Sequence, residues 1–122
     1  MDTRNKIVTA DTLPNLGLRA PVVAVGYFDV LRPAHVAELE ALAGAGPLVV
    51  VVLQLDGEFL AERTRAELVA ALRAVDYVVA AADPDPSALL DVLRPARVAR
   101  LETADLRRRH ELIEDVRRRH HA

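Results

Sequence analysis

Three short runs of apolar residues carry no polar alternation, and amphipathic stretches separate them. Val22-Val23-Ala24-Val25 is entered from Pro21 and ended by Gly26; it has the length of a strand. Leu48-Val49-Val50-Val51-Val52-Leu53, after Pro47, and Tyr77-Val78-Val79-Ala80-Ala81 repeat the pattern. Runs without a polar face belong to strands buried on both sides, as in parallel sheets covered by helices. Between them, Val36, Leu39 and Ala43 predict a helix from Ala34, stopped by Gly44 and Gly46. Leu68, Leu72 and Val75 predict a second over 63–75. Asp83-Pro84-Asp85-Pro86 reads as a turn, with Asp83 and Asp85 as turn and N-cap residues. Ser87 to Leu93 then forms a short helix ended by Pro95, and Arg97 to Leu101 an edge strand. From Thr103 to about His120 runs a charged helix whose apolar stripe is Leu106, Ile113 and Val116. Residues 1–20 are weakly patterned and predict only a lead-in with one helical turn.

This order, β-α-β-α-β-α-β with short connections, predicts an α/β fold: a doubly wound, Rossmann-like parallel sheet flanked by helices. The Val22 strand is expected at its centre, between those at Leu48 and Arg97. Ligands in such sheets bind beyond the carboxyl ends of the strands, where strand order reverses. The first strand-to-helix junction, residues 26–36, is therefore where chemistry is sought.

Composition narrows the field. The 122 residues suit a single domain over 1–122, and 52% hydrophobic with 28% charged residues gives it enough apolar side chains for a core. Absence of cysteine excludes disulfides and thiolate chemistry. No apolar run is long enough for a bilayer, and Met1 to Lys6 leads into no signal-peptide core, so a cytoplasmic protein is expected, with no membrane partner. A net charge of −2 and 3% aromatic residues argue against nucleic acid. Lys6 is the one lysine.

Physically, the junction has parts of an anion site. Gly26 permits a tight turn and close approach of a ligand. The helix start after Pro33 offers unpaired amides, with Arg32 and His35 three residues apart beside it. Local hydrogen bonding by His35 is the plainer alternative.

The run Gly26-Tyr27-Phe28-Asp29-Val30-Leu31-Arg32-Pro33-Ala34-His35-Val36 resembles the signature of the cytidylyltransferase-like nucleotidyltransferases, usually G-x-F-D-x-x-H-x-G-H. Its pattern is similar to that of the nucleotidyltransferase domain of ADP-heptose synthase and of the glycerol-3-phosphate cytidylyltransferases. Arg65 to Val79 resembles the family's R-x-x-x-L-x-A-L-x-x-V-D-Y-V-V stretch, and Lys6-Ile7-Val8 and Leu93-Arg94-Pro95 fall where the family has similar residues. The resemblance implies a nucleoside triphosphate (CTP or ATP, with Mg2+) joined to a small phosphorylated or alcohol substrate with release of pyrophosphate. It implies phosphate contacts from the backbone of Gly26, Tyr27 and Phe28, and charge stabilisation at the attacked phosphate by His35. Arg32 stands at the first signature histidine and Ala34 at the glycine beside the nucleotide. Arg65 matches a nucleotide-binding arginine, with a solvated surface cation as the alternative. Asp29 is expected to hold the turn, and a homodimer is expected because related domains pair.

The departures point to weakened or lost transfer. Arginine replaces a compact imidazole at position 32, and Ala34 adds a methyl group. The family's serine- and threonine-rich loop before the last helix reads Leu101 to Arg109 here, without serine or lysine. Its carboxylates Glu102 and Asp105 are expected to repel phosphate. The loop after the second strand is cut down to 54–58. A non-catalytic nucleotide-sensing or protein-interaction module on the same fold is the alternative function. Arg107 to Arg109 and Arg117 to Arg119 read as a salt-bridged solvated helix, with pairs such as Arg107–Glu111 and Glu114–Arg118. A substitute phosphate grip from Arg107 to Arg109 is the second reading. No metal site is expected, including at His120-His121, whose side chains diverge.

Overall fold

The computed structural model describes residues 2–81, 83 and 85–121, the side chain of His121 excepted. Five strands form one wholly parallel sheet: β1 (Ile7–Val8), β2 (Val22–Gly26), β3 (Leu48–Val52), β4 (Tyr77–Ala80) and β5 (Arg97–Arg100). Their order is β1-β4-β3-β2-β5. The valine runs thus lie in the interior, and β2 sits between β3 and β5 as expected, with Val22 opposite both Leu48 and Arg97. The order reverses between β2 and β5. Helices α1 (Pro33–Leu42) and α4 (Glu102–His121) start from the carboxyl ends of these two adjacent strands. Residues seventy positions apart are thereby brought together at one end of the sheet.

Alternate strand residues face opposite layers. Val22, Ala24, Val50, Val52 and Val78 pack with Leu39 and Leu42 of α1 and with Ala66, Val69 and Ala70 of α2 (Glu62–Ala70). Val23, Val25, Val49, Val51 and Val79 pack with Leu13 and with Leu89, Leu90 and Leu93 of α3 (Ser87–Leu93). Each fully buried valine contributes on the order of 1.5–3 kcal/mol in transfer free energy, so the central strands are the thermodynamic anchor of the fold.

Several elements differ from the sequence reading. The lead-in holds two 3-10 turns, Thr3–Lys6 and Leu13–Leu16, and the edge strand β1 between them, too short for a periodic signal. Lys6 donates to the Leu72 carbonyl (3.0 Å), fastening this edge. The second helix ends at Ala70 rather than continuing to Val75. There the bonds tighten to Leu72 N–H on Val69 O and Val75 N–H on Leu72 O, which swings Asp76 onto the Leu48 amide (2.8 Å). The inward faces also shift. On α1 it is His35, Leu39 and Leu42, not Val36; on α2 it is Arg65, Ala66, Val69 and Ala70, with Leu68 exposed. Small alanines let α2 lie close against the valine sheet, so the larger leucine is turned outward.

In the turn before α3, Asp83 accepts the Asp85 amide and Asp85 accepts the amide and hydroxyl of Ser87, but the N-cap position falls on Pro86 rather than on an aspartate; Pro84 lies outside the described residues. On α4 the expected stripe is not packed, since Leu106 and Val116 are 42% and 44% exposed. Among the described residues, no side chain of α4 belongs to either apolar layer. Its distal ion pairs are Arg117–Glu114, Arg118–Asp115 and Arg119–Asp115, in place of the expected Arg107–Glu111 and Glu114–Arg118. At the sheet margin, β5 exposes Arg97, Val98 and Arg100.

Candidate functional site

Strand β2 runs out at Gly26, and the chain turns at Phe28, whose φ of 51° lies in the left-handed region. That conformation is uncommon for a side chain of this size, and the burial of the Phe28 ring holds it. The turn presents the Tyr27 and Phe28 amides toward the start of α4. There Asp105, in the first turn of that helix and 5% exposed, accepts both on Oδ2, at 2.8 and 3.3 Å. Its other oxygen, Oδ1, accepts a hydrogen bond from Nε2 of His35, itself 3% exposed. The His35 ring is fixed from its far side as well, because Nδ1 accepts the Arg32 amide at 3.0 Å. Nδ1 as acceptor places the ring proton on Nε2, so His35 is a donor aimed at Asp105. Three donors from two elements converge on one carboxylate.

Gly26 matters here for space rather than for its backbone angles. A Cβ at this position would overlap Asp105 Oδ2 and come within 2.9 Å of Phe28 Cε2. The close approach expected of a ligand is made by the chain's own carboxylate, and the sharp turn falls at Phe28. Asp105 was expected to repel phosphate; it occupies the donors instead.

The helix start offers less than its sequence suggests. Pro33 has no amide hydrogen, and the amides of His35 and Val36 turn to the Arg32 carbonyl (2.9 and 3.3 Å). Ala34 is exposed and away from the cavity wall, whereas Arg32, His35, Tyr27, Asp105, Arg108 and Arg109 line it. This cavity is about 10 Å³, room for one water. Among the described residues, Arg32 makes no ion pair. Arg108 pairs with Glu38 of α1, but Arg108 Nη1 and Glu38 Oε2 are left buried without partners. Arg107 is exposed, so a grip by the whole 107–109 run is not formed.

Asp29 does hold a turn, though a distant one. Its buried carboxylate accepts the amides of Phe59 (2.9 Å) and Leu60 (3.0 Å) and the Arg109 guanidinium (3.0 Å). Arg109 also donates to the Gly57 carbonyl and lies 4.4 Å from the centre of the Phe59 ring. One arginine of α4 thus ties the shortened loop to the junction, a role its place in a basic run concealed. Burial opposes ionisation of Asp29, but the amides of Leu60 and Phe59 and the Arg109 cation outweigh it and lower its pKa. A depressed native pKa stabilises fully above the unfolded value, about 3.9, and that stabilisation is lost as pH falls through the native value. Asp29→Asn is accordingly expected to cost about 2 kcal/mol at pH 7 in urea titrations, with a deficit that shrinks below about pH 4. An equal deficit at pH 7 and pH 3 would contradict this.

Arg65 is neither solvated nor open to the cavity. It is 0% exposed and donates to the carbonyls of Tyr27 and Leu53 (2.8 Å each) and Leu60 (3.2 Å), and to Glu58 (2.8 Å). It braces the junction from beneath. Among the described residues no group of three metal-ligating side chains assembles, and no helix is long and apolar enough to cross a membrane.

No protein-family model matches the chain. It is 38% identical over 85 residues to the bifunctional protein HldE of Bradyrhizobium diazoefficiens, a match covering 62% of this chain and 17% of that protein. Against the HldE of Rhodopseudomonas palustris it is 38% identical over 108 residues, 75% of this chain and 22% of the other. The chain thus spans only about a fifth, or less, of the length of these curated relatives. Among solved structures, the lipopolysaccharide core biosynthesis protein from Thermoplasma volcanium aligns with a TM-score of 0.60 at 26% identity, covering 67% of this chain and 73% of that one.

Proposed function

We propose that this chain is a cytidylyltransferase-like nucleotidyltransferase domain, a reading its relatives and its fold support, that the junction after β2 receives the phosphates of a nucleoside triphosphate, and that nucleotidyl transfer there is slow or lost. The observation that carries the reading is the convergence of the Tyr27 amide, the Phe28 amide and His35 Nε2 on one anionic group. Donors so arranged suit the oxygens of any compact oxyanion, and phosphate is the one the family handles. Arg32 adds a permanent cation at the cavity wall, whose forked donors match phosphate. CTP or ATP is the proposed donor, and a small phosphorylated or alcohol compound the acceptor. Mg2+ would come with the triphosphate, bound by its phosphate oxygens and water. The carboxylates nearby, Asp29 and Asp105, are already engaged by amides and by Arg109 and His35 respectively.

Slow transfer follows from what the site lacks. Arg32 cannot reproduce a compact imidazole, and the start of α4 brings two carboxylates and neither serine nor lysine. Millimolar pyrophosphate, CTP or ATP is expected to raise the melting temperature of the wild type by a few degrees, and Arg32→Ala to abolish the rise. Failure of every ligand to move it would leave the interaction-module reading. Pyrophosphate release from CTP, ATP, UTP or GTP with alcohol phosphates is expected to stay near background, even in the Arg32→His/Ala34→Gly variant that repairs the signature. Rapid turnover by that variant would overturn the account of impaired catalysis.

A further inference from the structure

We propose that α4 is a displaceable latch on the phosphate site, with the Asp105 carboxylate standing in for a phosphate oxygen until a phosphate group exchanges for it. The proposal rests on the reading of the junction as a phosphate site and adds how access to that site is controlled.

Exclusivity is the first argument. The Tyr27 and Phe28 amides and His35 Nε2 all point at Asp105, and the adjoining cavity of about 10 Å³ cannot take a phosphate group beside it. Gly26 leaves no space between strand and carboxylate. A phosphate reaches these donors only if Asp105 leaves.

Ease of departure is the second. Asp105 is the one buried side chain among the described residues of α4, and the helix places nothing in either apolar layer. What seats its first turns is polar: Asp105 on the junction, Arg108 on Glu38, Arg109 on Asp29 and Gly57. Polar seats exchange readily, because water or another anion satisfies the same groups. Closure is also imperfect, since Glu38 Oε2 and Arg108 Nη1 are buried without partners. Exchange returns a buried carboxylate to water and gives the donors a more highly charged ligand.

Pyrophosphate is the probe for the test, titrated by calorimetry into the wild type and Asp105→Asn, with amide chemical shifts read at Tyr27 and Phe28. Hydrogen exchange across residues 102–110 of the wild type is followed with and without saturating pyrophosphate, a measurement that stands even if the variant folds poorly. The latch requires at least tenfold tighter binding by Asp105→Asn, and at least tenfold faster exchange at the start of α4 in the liganded wild type. Perturbed Tyr27 and Phe28 amides with equal affinities and unchanged exchange in α4 would overturn the latch and leave the phosphate site standing. No binding to either protein would overturn both.

Discussion

Arg65→Met is expected to lower stability by about 3–5 kcal/mol, the largest loss of any single substitution considered. Methionine keeps most of the volume but strips donors from the Tyr27, Leu53 and Leu60 carbonyls and removes the cation beside Glu58. Buried acceptors left without partners cost about 1–3 kcal/mol each, moderated where water can reach them. Glu58 is part-exposed, so its share is small and the carbonyls dominate. For a chain of this length the loss corresponds to roughly 10–20 °C in melting temperature. Arg63→Ala, which on the same helix breaks only the exposed pair with Glu67, is expected to shift it by no more than about 2 °C. A calorimetric shift under 4 °C for Arg65→Met would show that the guanidinium is not the brace described.

Gly26→Ala is expected to cost about 2 kcal/mol and to dislodge the start of α4. Outside this site, alanine in a strand interior would gain slightly over glycine, through lower backbone entropy in the unfolded chain. Here the added methyl group runs into Asp105 Oδ2 and the buried Phe28 ring. Phe28 cannot yield, because its turn and its core contacts hold it, so Asp105 must. Removing that carboxylate as well should relieve the overlap. Urea titrations of Gly26→Ala, Asp105→Ala and the double variant are expected to show a coupling of at least 1 kcal/mol, the double costing less than the sum. Additive losses within about 0.5 kcal/mol would place the cost of Gly26→Ala elsewhere.

The sheet was legible because its strands are buried on both faces, which writes itself as unbroken valine. Ile7–Val8 left no such trace; two residues carry no periodicity. Helix faces were harder to read. Leu68 looked inward by spacing, yet the flat valine surface favoured the alanines beside it. The fate of Arg65 depended on three carbonyls from three segments pointing at one place, which no local pattern encodes. Asp105 lay within reach of inference, since β5 was expected next to β2 and the first turn of α4 had to fall beside the junction. By charge alone, a carboxylate near an anion site reads as a repellent, yet without a competing anion it is itself the anion the donors attract. Arg109 was hidden by its neighbours, as a run of like residues gives no sign of which one turns inward.

The margins of the sheet also bear on self-association. β1 is two residues long and offers too little backbone to template a further strand. β5 is longer, but arginine stands at both ends, Arg97 and Arg100, with Val98 between them. An added strand would have to pack along and desolvate these arginines, one on each face of the sheet, and charge on an exposed edge disfavours such pairing. Brevity blunts one margin and arginine charge the other. Growth of a continuous intermolecular sheet is penalised at both ends, and any pairing of copies is steered to the helical faces.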